Sequence, residues 1–371
     1  MPIEIIQVTT KSQKKTFLEL PWQLYQNDPH WVPPLKLALK EQLNPKHPFF
    51  ETGTIKMWIA YQDNQPVGRI AAITNRAHNK FHRENCGFFG FFETLDDQEI
   101  AQKLFQTAEN YLKELGLGQI RGPVSPSTNY ECGTLVHGFD DAPQLMMTYN
   151  APYHPSLLEK CRYTKAKDLL AYQIDLGFTM PERIVRISER AEKSHKITYR
   201  QINKKDWDNE VARMLDIYNE AWENNWGFIP MTKKEFYHTA KDLKSVVDER
   251  LILFCEVNGD PAGFIVMLPD FNQVFKQIPT GKLLPTGIFK LLRPKKYITR
   301  ARVVTLGIKT KYRRLGLESL LYQKGHKNIK AAGFTECEMS WILEDNKSMN
   351  KALQVMGATP YKTYRIFEKS L

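Results

Sequence analysis

A short basic turn late in the chain carries residue types that can hold an anion. Residues 309–318 contain Lys309, Lys311, Arg313 and Arg314 together with Gly316, and a helical pattern begins directly after them. The N–H groups at a helix N-terminus, combined with cations and a glycine that allows close approach, suit a phosphate or diphosphate. The turn therefore indicates a site for a phosphorylated ligand.

The positive charge of the chain is concentrated around this turn. Of the 52 lysines and arginines, 12 lie between Phe271 and Leu317, a stretch without Asp or Glu, and the other 40 face 41 acidic residues. A field this local attracts a polyanion, such as nucleotide phosphate, nucleic acid or anionic lipid headgroups. The length of 371 residues and the hydrophobic fraction of 42% predict a globular protein with more than one domain.

The elements that must position the turn occur twice. Two apolar runs that flank a polar turn, with a Pro-x-Gly motif in the same register, lie at 57–73 and at 253–268. Each is followed by a third strand, a helix with one apolar face and a further strand. This order predicts an α/β fold (α+β, mixed sheet) with two related domains in tandem, and a chance similarity of the hairpins is the alternative.

The predicted domains are residues 1–178 and 197–371, with a charged, helix-compatible connector at 179–196 and an insert at 269–300. The two copies differ at the turn before the helix. In the first copy residues 93–99 carry four acids, which suit the helix dipole and would repel a diphosphate. We therefore expect the N-terminal copy to be degenerate and the C-terminal copy to bind the ligand.

The basic turn resembles the pyrophosphate loop of the GNAT superfamily of acyl-CoA-dependent N-acyltransferases, whose pattern is Q/R-x-x-G-x-G/A. The residues that stand in the motif are Arg313, Arg314, Leu315, Gly316 and Leu317. Glu318 occupies a position where Gly or Ala is usual. The strings at 122–133, 217–230 and 340–346 are similar to bacterial two-domain GNAT-like proteins, a group that includes bacterial ceramide synthases.

This resemblance implies an N-acyltransferase that uses acyl-CoA as its donor substrate and needs no metal. The five motif residues would hold the pyrophosphate, and the thioester carbonyl would meet backbone N–H groups of Leu306, Gly307 and Ile308. Gly307 would leave room for the pantetheine arm, and a strand bulge is the alternative explanation for this glycine. Asn346 is either a pantetheine contact or the cap of the next helix.

Carboxylates around the strand at 336–344 are candidates for a general base. Alternation places Glu338 on the face opposite Cys337 and Trp341, from which it can project into a cleft. Glu344 is the second candidate, and a salt bridge with a nearby cation is the alternative for each. In the GNAT superfamily a tyrosine hydroxyl usually returns the proton to the thiolate, which favours Tyr364, with a packed aromatic as the alternative.

The insert points to a lipid-like substrate. Residues 277–298 place leucine, isoleucine and phenylalanine among Lys290, Arg293, Lys295 and Lys296, in a segment too short to span a membrane. It fits an interfacial segment on an anionic membrane surface, and a lid packed on the core is the alternative. We expect Asn225, Trp226 and Phe289 to contact a long-chain, sphingoid-type amine that is acylated to an amide.

Two other functions stay open. Nucleic-acid binding is disfavoured because the cations alternate with Leu, Ile and Phe, but a tRNA-dependent aminoacyl transferase remains an alternative, as does a non-catalytic CoA- or membrane-binding protein. The five scattered cysteines read as buried apolar residues, with a thiol nucleophile at Cys132 as the alternative. No leader or run of 18 apolar residues is present, so we expect a cytoplasmic protein, peripheral on the inner face of the membrane.

Overall fold

The computed structural model describes residues 2–244 and 247–371. Its helices are, in chain order, α1 (Lys11–Leu24), α2 (Lys36–Gln42), α3 (Arg76–His82), α4 (Gln98–Glu114), α5 (His154–Lys160), α6 (Glu182–Glu192), α7 (Trp207–Trp222), α8 (Lys233–Leu243), α9 (Asn272–Phe275), α10 (Gly287–Leu291), α11 (Leu317–Ala331) and α12 (Lys347–Val355). Its strands are β1 (Ile3–Gln7), β2 (Gly53–Gln62), β3 (Gln65–Asn75), β4 (Cys86–Thr94), β5 (Gln119–Gly122), β6 (Val124–Ser125), β7 (Glu131–Cys132), β8 (Thr134–His137), β9 (Thr164–Asp175), β10 (Ile197–Gln201), β11 (Ile252–Val257), β12 (Asp260–Pro269), β13 (Arg300–Ile308), β14 (Glu336–Leu343) and β15 (Thr359–Ser370). Single turns of 3-10 helix lie at Pro48–Glu51, Lys204–Asp206, Glu249–Leu251, Pro294–Lys296 and Thr310–Tyr312.

Contacts between residues divide the chain into two compact units. Unit 1 contains the described residues up to Leu169 together with Phe275–Leu292 and Lys362–Leu371. Unit 2 contains the described residues of Leu170–Val274 and Arg293–Tyr361. Two segments from the second half of the sequence are thus part of unit 1. The predicted domain limits at residues 178 and 197 stay a prediction.

The two predicted hairpins are present and have the same irregularity. Each turn places two residues at positive φ, Asp63 and Asn64 in the first hairpin and Asn258 and Gly259 in the second, which is the backbone that two-residue hairpin loops favour. In both, one extra residue of the Pro-x-Gly motif interrupts the register, between the pairs of Pro66 and Gly68 and of Pro261 and Gly263. The shared motif therefore encodes a shared bulge.

The sheet of unit 1 has the strand order β1-β2-β3-β4-β5-β15, and β8 also pairs with β15. Its pairs are antiparallel except β4 with β5, which is parallel. Helix α4 lies on this sheet because its apolar stripe, Ile100, Leu104, Ala108 and Leu112, is completely buried. Burial of each leucine or isoleucine contributes about 1.5–3 kcal/mol.

The sheet of unit 2 has the order β9-β14-β13-β12-β11-β10, with β13 parallel to β14. Helix α11 buries Leu317, Leu320, Leu321 and Ile329 against β11 and β12, as predicted for the second copy. Each unit thus repeats the order hairpin, third strand, helix, parallel strand. This confirms the predicted mixed α/β fold and its tandem repeat.

The predicted connector contains helix α6, which buries Ile184, Ser188 and Ala191 within unit 2. The insert contains only short helices, α9 and α10. Among the residues that the structure describes, no helix has both the length and the apolar character needed to cross a bilayer. All five cysteines are buried and free, as the sequence predicted.

Candidate active site

A split between two parallel strands is the main feature of the candidate site in unit 2. Strands β13 and β14 pair from Arg300 opposite Glu336 to Val303 opposite Met339, and within their described residues the pairing goes no further. Strand β13 continues along β12 as far as Ile308, after a bulge at Val304. Its other edge from this bulge onward is open to a ligand, which can bond the backbone groups there.

Gly307 lies on this stretch of β13. The reason that a glycine is required there differs from the predicted one. A Cβ atom at Gly307 would lie 2.2 Å from Cζ3 and 2.5 Å from Cη2 of Trp222. The glycine therefore makes room for the indole at the end of α7, which corrects the expectation of open space for a pantetheine arm. The alternative is also wrong in position, because the bulge falls at Val304. The roles of the N–H groups of Leu306, Gly307 and Ile308 stay a prediction.

The basic turn leads from β13 into the N-terminus of α11. Gly316 is the residue before the first helical turn, has φ +82°, and offers no side chain to cap the helix. Leu320 N donates to Gly316 O at 3.1 Å, whereas the N–H groups of the first helical residues have no acceptor within the helix. Arg313, Arg314 and Leu315 are exposed beside them. This arrangement suits a diphosphate.

Packing inside unit 2 fixes the position of the turn. A Cβ atom at Gly316 would lie 2.7 Å from Cγ2 of Ile187 on α6. Arg313 donates to Ala221 O at 3.0 Å, and Thr310 N donates to the Glu220 carboxylate at 2.9 Å. Lys309 contacts the Asp216 carboxylate. Lys309 and Arg313 thus attach the turn to α7.

In the first copy the corresponding features are filled or capped. A Cβ atom at Gly90 on β4 would lie 1.7 Å from Val124 O, and Phe91 N donates to Ser125 Oγ at 3.2 Å. Strand β6 therefore occupies the place beside β4 where a ligand would lie. Asp97 caps α4 by accepting from the second and third helical N–H groups. These contacts agree with the predicted degeneracy of the N-terminal copy, which stays a prediction.

Glu93, one of the four acids of the first copy, is also taken up by its own surroundings. Tyr25 Oη donates to its carboxylate, and Arg69 lies 3.7 Å from it. Burial raises the pKa of Glu93 to about 7, against the opposing effect of Arg69. Glu93 is therefore part of the interior of unit 1 rather than of a charged turn.

Glu338 lies in a buried polar cluster of unit 2. Ser340 Oγ donates to Glu338 Oε1 at 2.6 Å, Tyr361 Oη donates to Oε2, and Arg302 Nε lies 3.4 Å from Oε1. Arg302 Nε also donates to Ser340 Oγ at 2.9 Å. Glu338 is 0% exposed, and its ion pair with Arg302 is the salt bridge that the sequence analysis gave as the alternative to a general base. Its role as a base stays a prediction.

Tyr361 is the functional candidate that the sequence prediction passed over in favour of Tyr364. Tyr361 is half-buried in unit 2 with its hydroxyl on Glu338. Tyr364 belongs to unit 1, is 0% exposed and pairs with Leu135 of β8, which is the packed-aromatic alternative. The two residues are three apart on one strand and so point to opposite faces. The spacing alone predicts that the two tyrosines face opposite sides of the strand. It does not predict which of them meets Glu338.

The remaining predicted residues have simpler surroundings. Asn346 caps α12 by accepting from Met349 N at 3.2 Å, which confirms the cap alternative. Glu344 is half-buried in the turn after β14. Asn225 and Trp226 are half-buried in the turn after α7 in unit 2, whereas Phe289 belongs to unit 1 and is 67% exposed. Their contacts with a substrate stay a prediction.

Comparisons with known proteins agree with the fold. No protein-family model matches the chain. The chain is 36% identical over 377 residues to a bacterial ceramide synthase from Caulobacter vibrioides, covering 100% of this chain and 98% of that protein. It is 34% identical over 368 residues to protein YghO from Escherichia coli, covering 97% of this chain and 94% of that protein.

Solved structures with the same fold are also found. A tandem GNAT protein from the clavulanic acid biosynthesis pathway superposes with a TM-score of 0.60 at 10% identity, covering 100% of this chain and 98% of that one. A GCN5-related glucosamine N-acetyltransferase region of a fungal enzyme superposes with a TM-score of 0.59 at 12% identity, covering 99% of this chain and 38% of that one. The chain has the fold of tandem GNAT proteins, and it belongs to the family of the bacterial ceramide synthase of Caulobacter vibrioides.

Proposed function

We propose that this protein transfers an acyl group from acyl-CoA to a long-chain, sphingoid-type amine and so forms an amide. The observation that carries the proposal is the open edge of β13 beside the uncapped N-terminus of α11, which the first copy lacks because β6 and Asp97 fill the same places. The relative from Caulobacter vibrioides is named a ceramide synthase, and this supports the choice of amine.

The donor would bind along β13 and around the basic turn. The pyrophosphate would accept hydrogen bonds from the N–H groups at the start of α11, with Arg314 supplying positive charge and Arg313 attached to α7. The pantetheine arm would run along the open edge after Val304, where backbone N–H groups can stabilise the oxyanion that forms on the thioester carbonyl. Glu318 lies in the first helical turn and would weaken binding through its charge.

The acyl transfer requires two proton movements. The amine nitrogen attacks the thioester carbon, a C–N bond forms and the C–S bond breaks; the ammonium proton goes to a base and the thiolate takes up a proton. Tyr361 and Glu338 form a hydrogen-bonded pair. Such a pair can take the proton from the ammonium and return one to the thiolate. Arg302 and Ser340 would hold the carboxylate in place, so Tyr361 replaces Tyr364 as the proposed proton donor. Glu344 is the second candidate base.

An aromatic cluster favours a long apolar acceptor or acyl chain. Tyr218 lies 4.9 Å from the ring of Trp222 and 5.6 Å from that of Phe228, measured between centroids. The Trp222 indole lies against Gly307 of β13, so this cluster adjoins the strand on which we place the thioester. Aromatic surface of this size can line a pocket for a hydrocarbon chain. A position at an anionic membrane surface would bring such an enzyme to its lipid acceptor.

The test is an acyl-transfer assay with the purified protein. Acyl-CoA donors of increasing chain length are combined with sphingoid bases, short amines and amino acids, and released CoA thiol is measured. In a separate arm, aminoacyl-tRNA replaces acyl-CoA as the donor and deacylated tRNA is measured. We expect release with long-chain amines. No release with any acceptor would favour a binding protein, and a preference for acetyl-CoA with polar amines would refute the lipid substrate.

A pair of arginine variants tests the donor site. Arg314→Ala removes an exposed cation at φ +72° beside α11, and Arg83→Ala removes an exposed cation at φ +57° in unit 1. Both changes have a similar backbone cost, so the comparison isolates the site. We expect about tenfold weaker CoA binding for Arg314→Ala alone, the loss of one charge-assisted contact. Equal affinities of the two variants would contradict the assignment.

A further inference from the structure

The segment Phe275–Leu292 is fixed to the first half of the chain. Trp22 Nε1 donates to Pro279 O at 2.8 Å, and Lys36 N, at the start of α2, donates to Gly281 O at 2.9 Å. Gly281 has φ +65°, and a Cβ atom there would lie 2.5 Å from the Trp22 indole. The close approach holds this segment against α2 within unit 1.

These two joined pieces carry the most exposed large apolar side chains among residues 2–244 and 247–371. The four side chains, which we call the apolar tip, are Leu37 at 69%, Leu284 at 74%, Phe289 at 67% and Leu292 at 70% exposed. The next most exposed is Val355 at 54%. Leaving four large side chains this far out in water is unusual for a soluble surface and is typical of an interaction site.

Lysines accompany the apolar tip. Segment Phe275–Leu292 contains Lys276, Lys282 and Lys290 and has no Asp or Glu. On α2, Lys40 is one helical turn from Leu37 and exposed. Lys290 donates to Gln277 O, a neutral acceptor on the same segment, so the positive charge of Lys290 is not neutralised by this contact. An apolar surface bordered by cations is complementary to a bilayer with anionic headgroups.

We propose that the apolar tip inserts into the interfacial region of an anionic lipid bilayer while Lys40, Lys282 and Lys290 contact its phosphates. A bilayer accepts side chains that project from two different segments without requiring a partner of matching shape. The apolar tip enters only the interface, because α10 has five residues. The residues of the apolar tip belong to unit 1, whereas Glu338, Tyr361 and the basic turn belong to unit 2.

Vesicle sedimentation tests the proposal without any acyl donor, so its result is independent of the proposed activity. The full chain is mixed with vesicles of phosphatidylcholine alone or with added phosphatidylglycerol. We expect binding to the anionic vesicles and its loss at high salt. The double variant Phe289→Ser, Leu292→Ser should bind at least ~10-fold more weakly, because it removes apolar area that the parent would bury in the bilayer.

Matched controls separate the apolar tip from general hydrophobicity. Leu115→Ser, Val355→Ser removes two apolar side chains that are 50% and 54% exposed elsewhere and should bind as the parent does. Lys282→Gln should lower binding to anionic vesicles by about fivefold, the effect of one lysine near a charged surface. Equal binding of the apolar-tip variant and its control would overturn the proposal. So would absent vesicle binding together with tip-dependent binding of an acidic carrier protein.

Discussion

Gly316 offers the most direct test of whether the basic turn binds CoA, because Gly333 at the other end of α11 serves as its control. Gly316 precedes α11 at φ +82°, and an added Cβ atom would lie 2.7 Å from Ile187. Gly333 follows α11 at φ +95°, and an added Cβ atom would meet nothing within 4 Å. Alanine at either position bears the same backbone strain, but only Gly316→Ala must displace Ile187 or the turn itself.

The two variants should differ in ligand affinity more than in stability. A left-handed backbone costs an L-residue about 1–2 kcal/mol, so both variants should lose roughly that free energy of unfolding, and Gly316→Ala loses the cost of displacing Ile187 as well. Displacing the turn at Gly316 re-aims the N–H groups at the start of α11. Losing one hydrogen bond to a charged group costs about 1.5–3 kcal/mol, which corresponds to ~10- to 100-fold weaker CoA binding.

Calorimetric titration with CoA and denaturant unfolding measure the two quantities. We expect Gly333→Ala to bind CoA as the parent does, and Gly316→Ala to bind it at least ~10-fold more weakly while both variants remain folded. If both variants retained the parent affinity, the start of α11 would not be the diphosphate site. If Gly333→Ala also lost affinity, general destabilisation would explain the effect.

The buried cluster and one buried histidine give the remaining predictions. Tyr361→Phe should lower kcat by ~100-fold or more at unchanged donor KM, since only a proton-transferring hydroxyl is lost; a change in KM alone in steady-state kinetics would contradict this. Arg302→Met should cost about 3–5 kcal/mol in denaturant unfolding, because Glu338 becomes an unpaired buried charge, and adding Glu338→Leu should restore most of it; no recovery would argue against the pair. Burial lowers the pKa of His154 from 6.5 to about 4. The stability that neutral His154 contributes is therefore fully present above pH 6.5 and is lost as the pH falls towards 4. His154→Phe should flatten this acid loss in pH-dependent unfolding, whereas the exposed control His137→Gln should keep it; equal slopes would refute the assignment.

The repeated units were predictable because their sequence rules are local. The Pro-x-Gly hairpins and the apolar stripe of α11 follow from turn chemistry and helical periodicity, and both are present. The opposite charges of the two turns also predicted that the copies differ at the start of the helix, where Asp97 caps α4 and no side chain caps α11.

The parts that sequence could not supply depend on contacts between distant residues. Nothing near Gly307 in the sequence shows that Trp222, 85 positions earlier, packs on it. Likewise, alternation shows that Tyr361 and Tyr364 face opposite sides, but only the partner strands show which one meets Glu338. Such pairings are set by the tertiary fold, which single-sequence patterns do not encode.

The position of the last strand has a consequence for biosynthesis. Residues 362–371 complete the sheet of unit 1, where Phe367 pairs with Gly122 and Lys369 forms an ion pair with Glu109 at 2.8 Å. These residues are translated after every other strand of that sheet. During synthesis, the sheet of unit 1 therefore cannot be completed, and the edge of β5 stays uncovered, until residues 362–371 have left the ribosomal exit tunnel.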